Sequence, residues 1–546
     1  MLLCNLPEDI LAIVLTRCVR IRDKPDRDVK RNLPLLAVCR QWRRLAAPLV
    51  YRHVFVQYGD REKRRSGPFT HNPDVEEPTD VAVRTNLDLV ALDGCVRAVK
   101  RVQIDVHFLV NPFPGWREVI QRMRAVAIKW RVAELRVVIH ADPHHFDGRN
   151  VDVAKYTDDI AETCDALAVL LPDVAHVEYG GVNNNLLARS LYGRLSSRYA
   201  GQLQRLLSYH PIATPLGCRY TGLKKVRINY DHVGDYQPPQ MASGELVDLS
   251  LENAPANHSW ASFSADGDSQ DIEFTGLEKL HVSYSNVYEE NGIAVRHRDG
   301  HPWKLHFPSL KSLEIRSARD ICPLLEYAVL PPGMELISIR MMSADFQNFG
   351  NLVLPAAKRL CLEMAVRSLS DPSGFPAVNR ILEGAHATES LELSIGDFEM
   401  VVVPENITCS ALTVLQIWGT ASVDTMLALI EKLPNLVKLR GSNLDMSEIQ
   451  SDISLPGADE GAALGPLSLS LKRLAISFFS GGHSPDTAVA VVKCFLCRIP
   501  TLTRLIAEKI PRSTVLGFVQ EYAPRYPHLS NLKLNYDDDE DPTDCL

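Results

Sequence analysis

Residues 471–476 read LKRLAI, a short phrase whose recurrence along the chain decides the fold. Its apolar residues stand at positions 1, 4 and 6, here Leu471, Leu474 and Ile476. Side chains two residues apart lie on one face of a β-strand. The residue at position 1 turns inward from the loop before the strand. The phrase therefore predicts a short strand with one buried face.

The same pattern occurs fifteen times between residues 99 and 534. Steps between central residues run from 23 to 49, and many lie in or near the range of about 20–29 residues found in leucine-rich repeats. Such strands need neighbours on both sides, so the units are predicted to stack into a solenoid. The phrases are VKRVQI (99–104), VAELRV (132–137), VAHVEY (174–179), LKKVRI (223–228), LVDLSL (246–251), LEKLHV (277–282), LKSLEI (310–315), MELISI (334–339), AKRLCL (357–362), TESLEL (388–393), LTVLQI (412–417), LVKLRG (436–441), LKRLAI (471–476), LTRLIA (502–507) and LSNLKL (529–534).

Segments between the phrases show apolar spacing near 3.6 residues, which predicts helices. In the last of them, Ser484 suits the N-cap and Pro485 the first helical position. The alternation predicts an α/β protein, an irregular leucine-rich-repeat solenoid with parallel strands on one face and helices on the other. The predicted helical segments are 116–130, 159–171, 323–333 (ending at Pro-Pro-Gly), 423–433 and 484–499.

Composition favours a folded protein of a reducing compartment. The chain is 46% apolar and 23% charged, and its net charge of −8 argues against a general nucleic-acid binder. The twelve cysteines are scattered, mostly inside apolar runs. Acidic residues and Pro7 interrupt the first apolar run, so it does not predict a signal peptide, and no run approaches the about 20 apolar residues of a membrane span. We expect a cytoplasmic or nuclear protein.

The first fifty residues carry more apolar surface than a small helical unit needs. The segment 5–19 begins with Asn5, a plausible N-cap, and the segment 33–51 is apolar around more of the helix than one core-facing side. The surplus must be buried in this domain or in a partner. Aromatic residues dominate interface hot spots, so Trp42 is the predicted anchor. We expect Leu35, Leu36 and Trp42 to be partly exposed in the isolated chain.

At these residues the sequence resembles the F-box, the helical module that docks on the adaptor subunit of SCF-type ubiquitin ligases. The LP-x-[ED]-I-L opening stands at residues 6–11, and the VC-x-x-W ending at residues 38–42. Between them, the basic connector 16–32 is longer than is usual in the family. The resemblance implies an adaptor-binding role for Leu6, Pro7, Ile10, Leu11, Val14, Leu35, Leu36, Val38, Cys39 and Trp42.

The whole layout resembles fungal F-box proteins with leucine-rich repeats. It implies a helical module over residues 1–50, a first strand and exposed loop over 51–94, a solenoid over 95–536 and an acidic disordered tail over 537–546. The function it implies is substrate recognition: the module binds the adaptor and through it a cullin, and the solenoid binds a protein substrate. No catalysis, cofactor, metal, membrane or nucleic acid is expected, and the substrate-binding residues are unknown.

The alternative is a repeat scaffold without a link to a ligase, in which the N-terminal helices only cap the first edge of the solenoid. An enzyme is disfavoured because the chain has no phosphate-binding glycine loop, zinc-protease motif or nucleophile elbow. The pair Cys494 and Cys497 is interpreted as buried core. The His- and Asp-containing segment 138–152 and the basic run 61–65 are interpreted as solvated loops.

Overall fold

The structure is a computed structural model that describes residues 7–18, 25–59, 82–108, 112–141, 153–182, 186–210, 212, 218–230, 240–254, 260–263, 271–284, 304–317, 324–325, 328–341, 354–364, 386–395, 409–445, 466–478, 485–508, 510 and 512–535. The chain divides into two compact units. Unit 1 comprises Met1–Leu277 with Ala294–Trp303, and unit 2 comprises Glu278–Ile293 with Lys304–Leu546. Each is an α/β unit with a large, mostly parallel sheet.

Unit 1 has seven described helices: α1 (Glu8–Cys18), α2 (Pro25–Leu36), α3 (Arg40–Val50), α4 (Leu87–Leu92), α5 (Phe113–Val126), α6 (Thr157–Leu170) and α7 (Leu186–Arg198). Its strands are β1 (His53–Tyr58), β2 (Val83–Thr85), β3 (Arg101–Phe108), β4 (Glu134–Ala141), β5 (His176–Val182), β6 (Arg205–Ser208), β7 (Arg219–Tyr220), β8 (Lys225–Asn229), β9 (Gln240–Met241), β10 (Asp248–Ala254) and β11 (Asp271–Glu273). The sheet order is β2–β1–β3–β4–β5–β6–β8–β10, and only β2 is antiparallel to its neighbour. Strands β7 and β9 form a separate parallel pair.

Unit 2 continues the same architecture. Its strands are β12 (Lys279–Tyr284), β13 (Lys304–His306), β14 (Ser312–Ser317), β15 (Ala328–Val329), β16 (Met334–Met341), β17 (Ala357–Met364), β18 (Ser390–Ile395), β19 (Val414–Ser422), β20 (Lys438–Asp445), β21 (Arg473–Phe478), β22 (Arg504–Glu508) and β23 (Lys533–Asn535). Its described helices are α8 (Val423–Lys432), α9 (Pro485–Arg498) and α10 (Arg512–Tyr522). The parallel sheet runs β12–β14–β16–β17–β18–β19–β20–β21–β22–β23.

The predicted phrases form the strands of the two sheets, and their apolar positions stack on one another. Leu415, Leu439, Leu474 and Leu505 are direct register partners on four neighbouring strands, and each is at most 2% exposed. Burial of each such side chain contributes about 1.5–3 kcal/mol. The buried columns therefore fix the register of the strands.

Backbone hydrogen bonds before each strand repeat as regularly as the side chains. The carbonyl oxygen at position 2 of one phrase accepts the N–H groups of positions 2 and 3 of the next phrase. For example, the Thr413 oxygen accepts from Val437 at 2.8 Å and from Lys438 at 2.9 Å. The Ala133 oxygen accepts from Ala175 and His176 in the same way in unit 1. This shared acceptor satisfies the loop backbone where the chain enters the sheet.

Four predicted helical segments are confirmed with shifted ends. The predicted helix 116–130 is α5, which begins at Phe113 and ends at Val126. Trp130 lies beyond its end, fully buried, and its Nε1 donates to the Met123 oxygen at 3.2 Å. The segments 159–171, 423–433 and 484–499 correspond to α6, α8 and α9, and the predicted N-cap Ser484 lies outside the described residues.

Three details differ from the prediction. The helix predicted over 323–333 is confirmed only at Leu324 and Leu325, which are helical. Ala328 and Val329 instead form β15, parallel to β13. The Pro-Pro pair that follows favours an extended backbone at Leu330, and Gly333 has a φ of +75°. The last phrase is shifted by two residues, so that Leu534 and not Leu532 pairs with Leu505. Strand β6 in LQRLLS (203–208) was not predicted.

Within the described ranges, none of the helices is long and apolar enough to cross a membrane. Three stretches lie outside the described residues: the acidic tail 537–546, the basic run 61–65, and residues 142–152 of the segment with His and Asp residues.

The buried column predicts a clear contrast within one strand. Leu415→Ala in β19 should lower the free energy of unfolding by about 2–5 kcal/mol, because it leaves a cavity between Leu391 and Leu439. Gln416→Ala, on the opposite face of the same strand, should change it by about 0.5 kcal/mol or less. Urea denaturation of the full chain followed by circular dichroism measures both values. Equal losses would contradict the one-sided burial.

Candidate functional site

Helices α1 to α3 form a small packed module before the first strand of unit 1. Helix α3 contacts both α1 and α2, and α2 contacts β1. Leu11 and Leu15 of α1 are fully buried, as is Ala46 of α3. The module therefore has its own apolar interior, and this interior continues to the beginning of the sheet.

Part of the apolar surface of the module faces solvent. Ile10, Ile13 and Val38 are 45%, 59% and 49% exposed, which is unusual for large aliphatic side chains on so short a segment. Pro7 is also exposed. Half-buried residues among the predicted adaptor-binding set are Val14, Leu35, Leu36 and Cys39, and Leu6 lies outside the described residues. The partial exposure expected for Leu35 and Leu36 is thus confirmed.

The expectation for Trp42 is wrong. Its side chain is only 6% exposed, because it lies on the same face of α3 as Ala46 and Val50, four and eight residues further on, and this face packs inward. Cys39 is the N-cap residue of α3, and its Sγ accepts from the Trp42 backbone N–H at 3.5 Å. In the isolated chain Trp42 stabilises the module itself and is not available as an anchor for a partner.

Ion pairs join the helices of the module to one another and to the end of α4. The Arg44 Nη2 lies 2.5 Å from the Glu8 Oε1 and joins α3 to α1, while the Arg43 Nη2 lies 2.5 Å from the Asp93 Oδ1, just after α4. Burial and a hydrogen bond to Asp93 raise the pKa of Tyr51 to about 12.

A second candidate site lies on the polar face of the sheet in unit 1. A cavity of about 440 Å³ opens over β3 to β6, where the side chains between the apolar positions of the phrases meet. We call it the charged groove. Its lining residues are Arg101, Glu134, Leu135, Arg136, His176, Val177, Glu178, Arg205, Leu207 and Tyr209.

Basic groups outnumber acidic ones in this groove. Glu178 lies between two arginines, with oxygens 3.0 Å from the Arg101 Nη2 and 3.3 Å from the Arg136 Nε. Arg205 makes no ion pair with any described residue, and its Nε is buried without a hydrogen-bond partner. The guanidinium groups can therefore receive a carboxylate or another anionic group. Tyr209 at the rim stacks under the Arg227 guanidinium, 4.7 Å from the ring centroid.

Three groove residues, Arg205, Leu207 and Tyr209, were not predicted because they lie in or directly after β6, the strand that the sequence analysis missed. LQRLLS has Leu203 and Leu206 at positions 1 and 4 but the polar Ser208 at position 6. A signal was present: the step from Val177 to Val226 is 49 residues, and Leu206 divides it into 29 and 20. Ser208 is nevertheless buried, and its hydroxyl bonds the His210 backbone.

The cysteine pair and the histidine that the sequence analysis considered as chemical groups take part in packing contacts. Cys494 in α9 is 6% exposed and burial raises the pKa of its thiol, as it does for Cys497. His140 stacks on His107 with ring centroids 4.2 Å apart at paired positions of β3 and β4. The described part of the chain contains no group of three or more His, Cys, Asp or Glu side chains arranged to hold a metal ion.

Comparison with known proteins adds no assignment. No family model matches the sequence, and no curated protein is significantly similar to it.

The bridging carboxylate in the charged groove predicts a measurable loss of stability. Glu178→Ala should lower the free energy of unfolding by about 1.5–3 kcal/mol, because Arg101 and Arg136, with side chains 20% and 24% exposed, lose a charged acceptor. Glu118→Ala, which removes an exposed pair with Arg122 on α5, should cost about 0.5 kcal/mol or less. Urea denaturation provides the comparison. A cost for Glu178→Ala no larger than that of the control would show that the groove does not depend on this bridge.

Proposed function

We propose that the chain is the substrate-recognition subunit of an SCF-type ubiquitin ligase. The module α1 to α3 docks on the adaptor and through it reaches a cullin, and the repeat units bind a protein substrate. The observation that carries the proposal is the exposed apolar surface of the module. It includes Pro7, Ile10 and Val38, which belong to the two halves of the F-box-like motif and have no covering element in the described chain.

The second part of the proposal is a leucine-rich-repeat-like solenoid. Its support is the parallel order of successive strands, the buried columns at positions 1, 4 and 6, and the shared carbonyl acceptor between phrases. In such an array the polar residues of the strands form one continuous surface within each unit. The charged groove over β3 to β6 is a concave part of that surface and suits a polar segment of a protein substrate.

In this proposal the chain performs no chemistry itself. A subunit that holds a substrate beside a ligase acts by raising the local concentration of the reacting groups. Such a subunit needs two binding surfaces, one for the adaptor and one for the substrate. The module and the charged groove, both in unit 1, meet this requirement.

Adaptor capture by the full chain tests the proposal. Ile10→Asp together with Val38→Asp should weaken capture about tenfold or more, because each places a charge in a desolvated interface. Both side chains are about half exposed, so the variant should fold. Ile128→Asp is the control for a charge added to exposed apolar surface: Ile128 is 82% exposed and lies outside the module, and its variant should bind as the unaltered chain does. The measurement is a pull-down with purified adaptor, quantified by titration.

Failure of the unaltered chain to bind any SCF adaptor would overturn the ligase proposal. An equal loss in the Ile128→Asp control would assign the effect to general surface charge instead of to the module.

Burial of Trp42 favours a second candidate function, a protein-binding scaffold in which the module caps the first edge of the array. Trp42→Ala should destabilise the chain by about 3–5 kcal/mol, and Trp42→Phe should cost less, since the indole Nε1 is buried without a partner. If the module is a cap, hydrogen exchange of the Val54 and Val56 amides in β1 should also accelerate in Trp42→Ala. Acceleration confined to residues 8–50 would argue against the cap.

A further inference from the structure

Four cations stand in line across the last four strands of unit 2. Lys438, Arg473, Arg504 and Lys533 are direct register partners on β20, β21, β22 and β23. We call this row the basic ladder. Its members occupy the position just before a leucine on each strand, which is buried on β20, β21 and β22 and half-buried on β23, so their side chains point away from the apolar columns. Arg473 and Lys533 are exposed, and Lys438 and Arg504 are half-buried.

This arrangement is costly in isolation. Neighbouring strands are about 4.8 Å apart, and like charges directly opposite one another in a sheet destabilise it. The equivalent row in unit 1 mixes signs. Arg205 and Lys225 are register partners there, but Lys225 also forms an ion pair with its other register partner, Asp248. The residues of that row are Arg101, Glu134, His176, Arg205, Lys225 and Asp248.

Three of the four cations of the ladder, Lys438, Arg473 and Lys533, have no acidic partner among the described residues. The next outward-facing row on β20 to β22 contains Arg440, Ala475 and Ile506 and no acid. Arg440 is held over the Trp418 ring, 4.6 Å from the centroid. A chain with a net charge of −8 thus carries a local concentration of positive charge.

We propose that the basic ladder binds an acidic segment of a partner protein. The four cations span about 14 Å, three strand spacings, which corresponds to four or five residues of extended peptide at about 3.4 Å each. Carboxylates on such a segment relieve the repulsion between the cations, and the aliphatic surface of Ala475 and Ile506 lies beside them. The site differs from the charged groove of unit 1 and does not depend on the ligase assignment, because a scaffold would use it in the same way.

A peptide is favoured over nucleic acid by the charge of the chain. A long polyanion approaches the whole negatively charged molecule and is repelled, whereas a short acidic segment interacts mainly with the local face within a Debye length of about 8–10 Å. The sequence also offers a competitor of the same chemistry. The acidic run 537–541 begins two residues after β23 ends, so the experiment must separate it from a partner.

Fluorescence anisotropy with the full chain tests the proposal. The probe is a labelled peptide of about eight alternating Glu and Asp residues, and its control carries Gln and Asn at the same positions. We expect binding of the acidic peptide only, with an affinity that falls as NaCl is raised from about 50 to 300 mM. The double variant Arg473→Glu, Lys533→Glu should weaken binding about tenfold or more.

The matched control variant is Arg97→Glu, Lys129→Glu, which makes the same change in net charge at exposed cations outside the ladder. Its affinity should change by about twofold or less. The neutral variant Arg473→Gln, Lys533→Gln should weaken binding by an intermediate factor. Its thermal midpoint should stay the same or rise, because repulsion between strands is reduced; this independent readout also shows that the fold is kept.

Four results would overturn the assignment. The first is that neither the full chain nor a shortened chain that stops after Asn535 binds the acidic peptide. The second is that the control variant loses as much affinity as the ladder variant, and the third is that a single-stranded oligonucleotide of equal charge binds more strongly than the peptide. The fourth is that only the shortened chain binds the peptide. The third would make nucleic acid the ligand. The last would make the chain's own acidic run the occupant.

Discussion

One backbone interaction underlies both sheets: the carbonyl oxygen at position 2 of a phrase accepts two N–H groups of the next phrase. This bond sets where each strand begins, and the strand then continues in parallel register. Because the starting point is shared, positions 4 and 6 of successive phrases superpose and form buried columns. The polar positions between them superpose as well. Rows of like or opposite charge on the other face therefore follow from the bond that builds the sheet.

The strands could be predicted because the three apolar positions of each phrase indicate which face of the strand is buried. The prediction failed where that signal is weakened by one residue. Ser208 stands at position 6 in β6, so the phrase LQRLLS was missed, although the hydroxyl is satisfied locally and the site is buried. In 323–333 the apolar spacing suggested one helix, but only Leu324 and Leu325 are helical, and Ala328 and Val329 form β15. The proline after Leu330 disfavours a helical backbone at that residue.

The candidate sites were only partly predictable, for a physical reason. In the module, Ile10 and Trp42 belong to the same motif, yet one is exposed and the other is core. The sequence of a helix that is apolar on two sides does not indicate which side is buried. The buried side depends on how α1 and α3 pack against each other. The charged groove draws on four strands spread from Arg101 to Tyr209, so its composition becomes visible only when the register is known.

Strand β2 gives the sheet of unit 1 a distinct boundary. It is three residues long, runs opposite to β1 and exposes Arg84 at its centre. A strand from another molecule that continued the parallel array would meet the reversed hydrogen-bonding pattern and a charge there. The edge of the sheet formed by β2 is therefore poorly suited to pair with a strand of another molecule. Edge-to-edge association of parallel sheets is disfavoured at this side by the direction of β2 and by Arg84.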